Sequence, residues 1–174
     1  MAVLSLRHYG DPVLRQVAAP VALVTPDLKT LVADMVDTMW HAVGVGLAAP
    51  QVGVSLRIFV MDRGKAGTRA LVNPVITERG GHIKEEEGCL SLPGIFAEVE
   101  RSEWVRVSAL DDDGQPQSFE AHGLEAKIVQ HEIDHLDGVM FIDRLPPVMR
   151  DRIKKRIQKE GFEERPRRRH AFAL

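Results

Sequence analysis

Residues 130–138 read QHEIDHLDG, two histidines four apart with a glutamate directly after the first. Four residues is close to one helical turn, so a helix here stacks both imidazoles on one face with Glu132 beside them. That is a way to hold a metal ion and a general base in one place. Two histidines alone seldom make a catalytic site, which usually has three protein ligands and an open position. The rest of the chain has to fold so that a distant residue completes the set.

Three candidates compete for the third ligand. One zinc-protease pattern continues from the helix to a glycine and a third histidine; Gly138 sits at the right offset, but Phe141 stands where that histidine is needed, and a phenyl ring cannot coordinate. A second pattern takes a glutamate from a later helix. Glu160, Glu163 and Glu164 lie in a basic, solvent-seeking segment, where a carboxylate more naturally pairs with arginine. The third is Cys89, in EEEGCLSLPG. Gly88 lets the backbone approach closely, Leu90 offers a main-chain N–H beside the sulfur, and Pro93-Gly94 turns the chain away. A lone cysteine is usually a small buried hydrophobe. Set beside His131, Glu132 and His135, however, it gives a thiolate and two imidazoles with one vacancy for water. Cys89 is the choice.

The remaining pattern reads as an α+β domain over residues 1–174, antiparallel strands packed around the central HExxH helix, with one helix before and one after. Thr25-Pro26-Asp27 starts the first helix with a capping hydroxyl, a proline at the first position and an acid near the positive dipole end. Leu28, Leu31, Val32, Met35, Val36, Met39 and Trp40 form its apolar stripe, and it should stop near Gly44. Strands are expected at Leu56–Met61, Ala70–Thr77, His82–Glu87, Phe96–Arg101 and Trp104–Leu110. Asn73-Pro74 interrupts the second, which suits an edge or a bend. Asp111-Asp112-Asp113-Gly114 turns the chain, with Gln117–His122 returning as a hairpin partner. From Gly123 the period becomes helical, with Leu124, Ile128, His131 and His135 near one face. Pro146-Pro147 opens the last helix, and residues from about 161 to 174 read as a basic, flexible tail.

Bulk properties exclude several classes. A net charge of −2 and a pI near 6.4 give no global pull toward DNA, RNA or an acidic membrane. One cysteine rules out an internal disulfide framework and fits a reducing compartment. No apolar run is long enough for a signal peptide core or a bilayer span, so the expectation is a cytoplasmic protein.

Three blocks, GVGLAAPQVG (Gly44 to Gly53), EGCLSLP (Glu87 to Pro93) and QHEIDHLDG, together resemble the peptide deformylases, in this order and near the family's separations. HExxH alone is a weak signal, whereas the three-block combination is highly specific. The resemblance implies removal of the formyl group from the N-terminal formyl-methionine of newly made proteins. It also implies one divalent ion, Fe2+ first, with Zn2+, Ni2+ or Co2+ able to replace it. By matching position, Cys89, His131 and His135 would be the ligands and Glu132 the general acid/base. Gln51 and the N–H of Leu90 would contact the formyl oxygen, and Gly44, Val45 and Gly46 would hold the substrate. The family also pairs an acid just before the cysteine block with a downstream arginine, here Glu87 and Arg101, which would hold the cysteine strand in place.

Two features are expectations of another kind. Lys127, one turn before His131, falls where an apolar wall for a methionine side chain would be useful, and would line it with its stem while its ammonium reaches solvent. Between Pro147 and Glu160, six Lys and Arg stand against Asp151 and Glu160, followed by RPRRRH. Such a helix and tail read either as a solvated helix face with a frayed end or as a contact for RNA phosphates, and the family resemblance implies docking on the ribosome. His8, His41, His82, His122 and His170 have no second ligand at useful spacing and read as structural or surface residues. The competing readings are a zinc endopeptidase on the same helix and a ribosome- or RNA-binding module with a structural metal. The second would need four protein ligands, and no fourth is evident.

Overall fold

The apolar run Ile58-Phe59-Val60-Met61 explains the layering of the molecule. In the computed structural model, which describes residues 2–162, it lies in β2 (Ile58–Asp62), the second strand of an antiparallel sheet. Alternate residues of a strand face opposite ways. Ile58 and Val60 therefore pack with Leu28, Val32, Met35 and Met39 of α1 (Pro26–His41), while Phe59 and Met61 pack with Ala126, Ile128 and Val129 of α2 (Gly123–Leu136). A helix covers each face, so the strand reads as continuously apolar rather than alternating.

The sheet has five strands. β1 (Gly46–Ala48) is one edge, followed by β2, β3 (Thr68–Gly80), β6 (Trp104–Leu110) and β7 (Pro116–His122) at the other. β4 (Ile83–Cys89) and β5 (Leu92–Arg101) form a separate antiparallel hairpin that closes through Leu90-Ser91. Leu92, Ile95, Ala97 and Val99 of that hairpin share a third core with Leu14, Phe141, Ile142 and Leu145. α3 (Pro147–Glu160) lies against this cluster only through the partly buried Ile153 and Ile157, and none of its residues is fully buried. Thr25 caps α1 as expected, its side chain accepting from Leu28 N at 3.3 Å.

Several expectations need correction. β3 is central rather than an edge, and only the bend at Asn73-Pro74 is present. Asn73 takes φ +51°, its amide bonds both backbone groups of Val21 at 2.8 and 2.9 Å, and the register shifts between Val72 and Val75, so the missing N–H of Pro74 falls where pairing is already broken. Trp40 leaves the apolar stripe for the surface, where its indole N–H donates to Asp62. Leu124 is likewise exposed at the start of α2. The loop after α1 contains β1, a strand too short to show a period. His8, His41, His82 and His122 are all exposed, and His170, Glu163, Glu164 and the tail beyond residue 162 lie outside the described residues.

Candidate metal centre

β4 and α2 lie side by side, and their repeats match. Two strand residues advance about 6.6 Å and four helical residues about 6.0 Å. Side chains two apart on β4 therefore meet side chains four apart on α2, giving three successive rungs. Glu85 accepts from Lys127 Nζ at 2.9 Å, Glu87 Oε2 meets His131 Nδ1 at 3.0 Å, and Cys89 Sγ lies 3.3 Å from His135 Nε2. The last two rungs bring the predicted ligands together. Cys89, His131 and His135 are all buried, and one donor atom from each lies within 4.8 Å of the others. Bond lengths of about 2.3 Å to sulfur and 2.1 Å to nitrogen put tetrahedral S···N separations near 3.6 Å, close to the Cys89–His135 distance.

The orientation of His131 is set from behind. A carboxylate accepts, so Nδ1 carries the proton shared with Glu87 and Nε2 keeps its lone pair. That Nε2 is buried without a protein partner. Arg101 grips Glu87 with two bonds, 2.7 and 2.9 Å. Burial alone would push the Glu87 carboxyl up, but Arg101 and His131 overcome it and hold its pKa at about 2. The Phe141 ring lies 6.1 Å from that of His131 and stacks on it. The residue that excludes a third histidine thus serves as its packing support.

Glu132 is fully buried and neither carboxylate oxygen has a protein partner. Burial, then the nearby Glu87, pushes its pKa well above the usual carboxylate range. Burial also pushes the Cys89 thiol up, and burial holds His135 well below an ordinary histidine. A neutral imidazole is the ligand form, whereas the thiol becomes a ligand only by losing its proton, as a cation beside it makes it do. The unpartnered His131 Nε2, the His135 Nε2 beside the sulfur and the free Glu132 oxygens fit a divalent ion and a water-derived group. The second acidic cluster, Asp111-Asp112-Asp113, is partly exposed, and Asp111 is engaged in turn bonds to the Asp113 and Gln115 N–H groups.

Gly46 on β1 comes so close to α2 that a Cβ there would fall 2.4 Å from Glu132 Oε1 and 3.0 Å from Ile128. Gly44 is constrained likewise, since its Cβ would meet Leu90 Cδ1 at 2.7 Å. Val45, half-buried between them, accepts from Asp62 N–H. Gln51 sits in a 3-10 turn, Ala49–Val52. Its carbonyl accepts from Ala48 N–H at 2.8 Å, and its NH2 group reaches Ser91 Oγ at 3.2 Å and Cys89 Sγ at 3.6 Å. Gln51, Leu90 and the loop 44–46 therefore surround the sulfur and Glu132.

Three contributors escape a reading of the sequence. Ser91 receives Gln51, and only its place two residues after Cys89 hints at it. Asp134 and Arg144 extend the Arg101 network, with Asp134 Oδ2 accepting from Arg101 at 2.7 Å and from Arg144 at 2.6 Å. Lys127 also differs from expectation: its ammonium is buried against Glu85 and the Glu86 carbonyl instead of reaching solvent. That pairing offsets a charge which would otherwise be costly so near the core.

Residues 3–151 match a family model described as Polypeptide deformylase. The peptide deformylase of Alkalilimnicola ehrlichii is 51% identical over 162 residues, covering 91% of this chain and 91% of that protein. That of Neisseria gonorrhoeae is 46% identical over 91% of this chain and 96% of its own. Among solved structures, the Thermus thermophilus peptide deformylase superposes with a TM-score of 0.87 at 46% identity, covering 91% and 95% of the two chains. The Ehrlichia chaffeensis enzyme, solved in complex with actinonin, gives 0.86 at 38% identity, covering 92% and 99%.

Proposed function

The chain belongs to the polypeptide deformylase family, and from that premise we propose how its residues share the family's reaction, removal of the formyl group from the N-terminal formyl-methionine of newly synthesised proteins. Cys89, His131 and His135 would hold one divalent ion, which would supply Lewis acidity and a water nucleophile near neutral pH. Glu132 is the proton carrier. It takes the proton released as water attacks the formyl carbon and returns it to the departing amine, which must leave protonated. Gln51 steadies the charge that grows on the formyl oxygen by exchanging its long contact to sulfur for that oxygen, and the Leu90 N–H is the second donor. Losing one such donor typically costs about 3 kcal/mol in the transition state. Gly44, Val45 and Gly46 hold the substrate backbone, since a side chain at Gly46 would occupy the space beside Glu132. Glu87 and Arg101 orient His131.

The observation that carries this assignment is the Glu132 carboxylate, buried, unpartnered and next in sequence to a ligand. Its test is formate release from formyl-Met-Ala-Ser by metal-loaded Glu132→Gln protein, expected to fall by about 100- to 10,000-fold. Near-normal turnover would remove Glu132 from the role. The family does not favour the endopeptidase or structural-metal readings. Casein offered beside the formyl peptide separates the first, because only an endopeptidase cleaves it.

We take Fe2+ as the native ion, with Zn2+, Ni2+ and Co2+ as substitutes, since a thiolate with two imidazoles suits soft and borderline ions. Elemental analysis of anaerobically purified protein, paired with activity before and after air, tests that. No helix among the described residues is long and apolar enough to cross a membrane. We take the work to be cytoplasmic, where formylated nascent chains emerge, and the exposed basic face of α3 supports contact with ribosomal RNA. Charge reversal at Lys154, Lys155 and Lys159 should lower ribosome co-sedimentation at low salt, and unchanged binding refutes that contact.

A further inference from the structure

Behind His131 a line of charges runs to the surface. Glu87 and Arg101 are at most 2% exposed, and Asp134 is 8% exposed. At the outer end Arg144, 44% exposed, donates twice to Asp134, Nε to Oδ2 and Nη2 to Oδ1, both at 2.6 Å. Arg101 is therefore shared between two carboxylates, Glu87 on one side and Asp134 on the other. Two guanidiniums and two carboxylates balance. Without Arg144 the set carries one uncompensated negative charge in a nearly dry site, and Asp134 has Arg101 as its remaining cation.

Arg144 comes from the 3-10 turn Phe141–Arg144 that follows α2. That short turn addresses His131 twice, directly through the stacked Phe141 ring and indirectly through Arg144, Asp134, Arg101 and Glu87. A fork–fork guanidinium pair is directional, so the turn fixes where the Asp134 carboxylate points as well as its charge. Asp134 also lies between the two histidines on α2, and its position bears on both.

We propose that Arg144 is a positioning residue for the metal site. By neutralising and orienting Asp134 it leaves Arg101 committed to Glu87, which keeps His131 Nδ1 bonded and Nε2 aimed at the ion. The inference rests on the assignment of Cys89, His131 and His135 as ligands.

The test uses the full chain as wild type, Arg144→Met, Arg144→Lys and Asp143→Asn. Zinc affinity is measured by competition with a chromophoric chelator. The visible spectrum of the cobalt-loaded protein reports ligand geometry, and kcat and KM are measured separately. Arg144→Met should weaken zinc binding about tenfold, the lower end of the loss seen when an outer partner of a ligand is removed. It should also shift the cobalt spectrum and lower kcat more than KM changes. Arg144→Lys, which restores the charge without the fork, should recover part of each. Asp143→Asn is the control. It loosens the same turn, because Asp143 pairs with Arg15 and accepts from Met140 N–H, yet it touches none of the line. It should leave zinc affinity and spectrum unchanged.

Wild-type zinc affinity and an unshifted spectrum in Arg144→Met would overturn the proposal, as would an equal loss in Asp143→Asn. Should Arg144→Met fail to fold, Arg144→Lys decides by the same two readouts, with a weakening of about threefold expected from its lost second bond. A wild-type chain that holds no zinc, or a His131→Ala chain that holds it as tightly, would instead overturn the ligand assignment, and the inference with it.

Discussion

The two sides of α2 treat buried polarity in opposite ways. Toward β1 and β4 the helix presents His131 Nε2 and both Glu132 oxygens without protein partners. On its other side Gln130 bonds both backbone groups of Ser102, and Asp134 meets two arginines. An unmade buried hydrogen bond costs about 1–3 kcal/mol. A fold accepts three such atoms together only where something other than protein completes them. The satisfied side is scaffold, and the unsatisfied side is where chemistry is expected.

The sharpest way to break this contrast is to damage the satisfied side. Arg101→Met leaves Glu87 and Asp134 buried without their shared cation and should cost about 3–5 kcal/mol of unfolding free energy, read from urea titration of metal-free protein. A smaller loss would mean water reaches these groups readily. On the unsatisfied side Gly46→Ala drives a methyl group into Glu132 Oε1, with an expected cost of about 1–3 kcal/mol. In a double-mutant cycle with Glu132→Ala most of that cost should vanish, because the clash partner is gone. Glu132→Leu should go the other way from Arg101→Met. Removing an unpaired buried carboxyl should stabilise the metal-free protein by about 1–2 kcal/mol while abolishing turnover. Destabilisation instead would reveal a partner for Glu132.

The smallest effect concerns a charge pair away from this helix face. Burial would raise the Asp143 carboxyl, but Arg15 and the Met140 N–H bring it below its usual range. A carboxylate whose folded pKa is depressed adds stability above its unfolded pKa, and that stability is lost as pH falls through the folded value. Because both partners are partly exposed, the loss below about pH 4 should be about 0.5 kcal/mol. Asp143→Asn should remove that increment from the acid limb of a stability-against-pH curve.

What the sequence discloses follows from how far each signal depends on neighbours. His131, Glu132 and His135 announce themselves because their spacing equals a helical turn. Cys89 is reachable because few residue types can finish such a set. α1 shows its cap and its stripe, although Trp40 falls on the stripe's period and still leaves it for Asp62. β1 cannot be read, since three residues are too few to display alternation. Asp134 looks like any acid on a helix and Arg144 like any base after one. Their pairing depends on a turn that brings Phe141–Arg144 back over α2, and no local pattern encodes that return. Lys127 stands out by its place, but its burial does not, because its partner Glu85 lies 42 residues upstream.

The rungs between β4 and α2 impose a rule about length. A residue inserted into or deleted from the segment 86–88 would turn every side chain beyond it to the opposite face of the hairpin. The sulfur would then project away from the imidazoles, whatever the new amino acid was. Point changes in this stretch can be graded and repaired one at a time. A single-codon indel would be all-or-none, so natural variation among working copies should be free of gaps here.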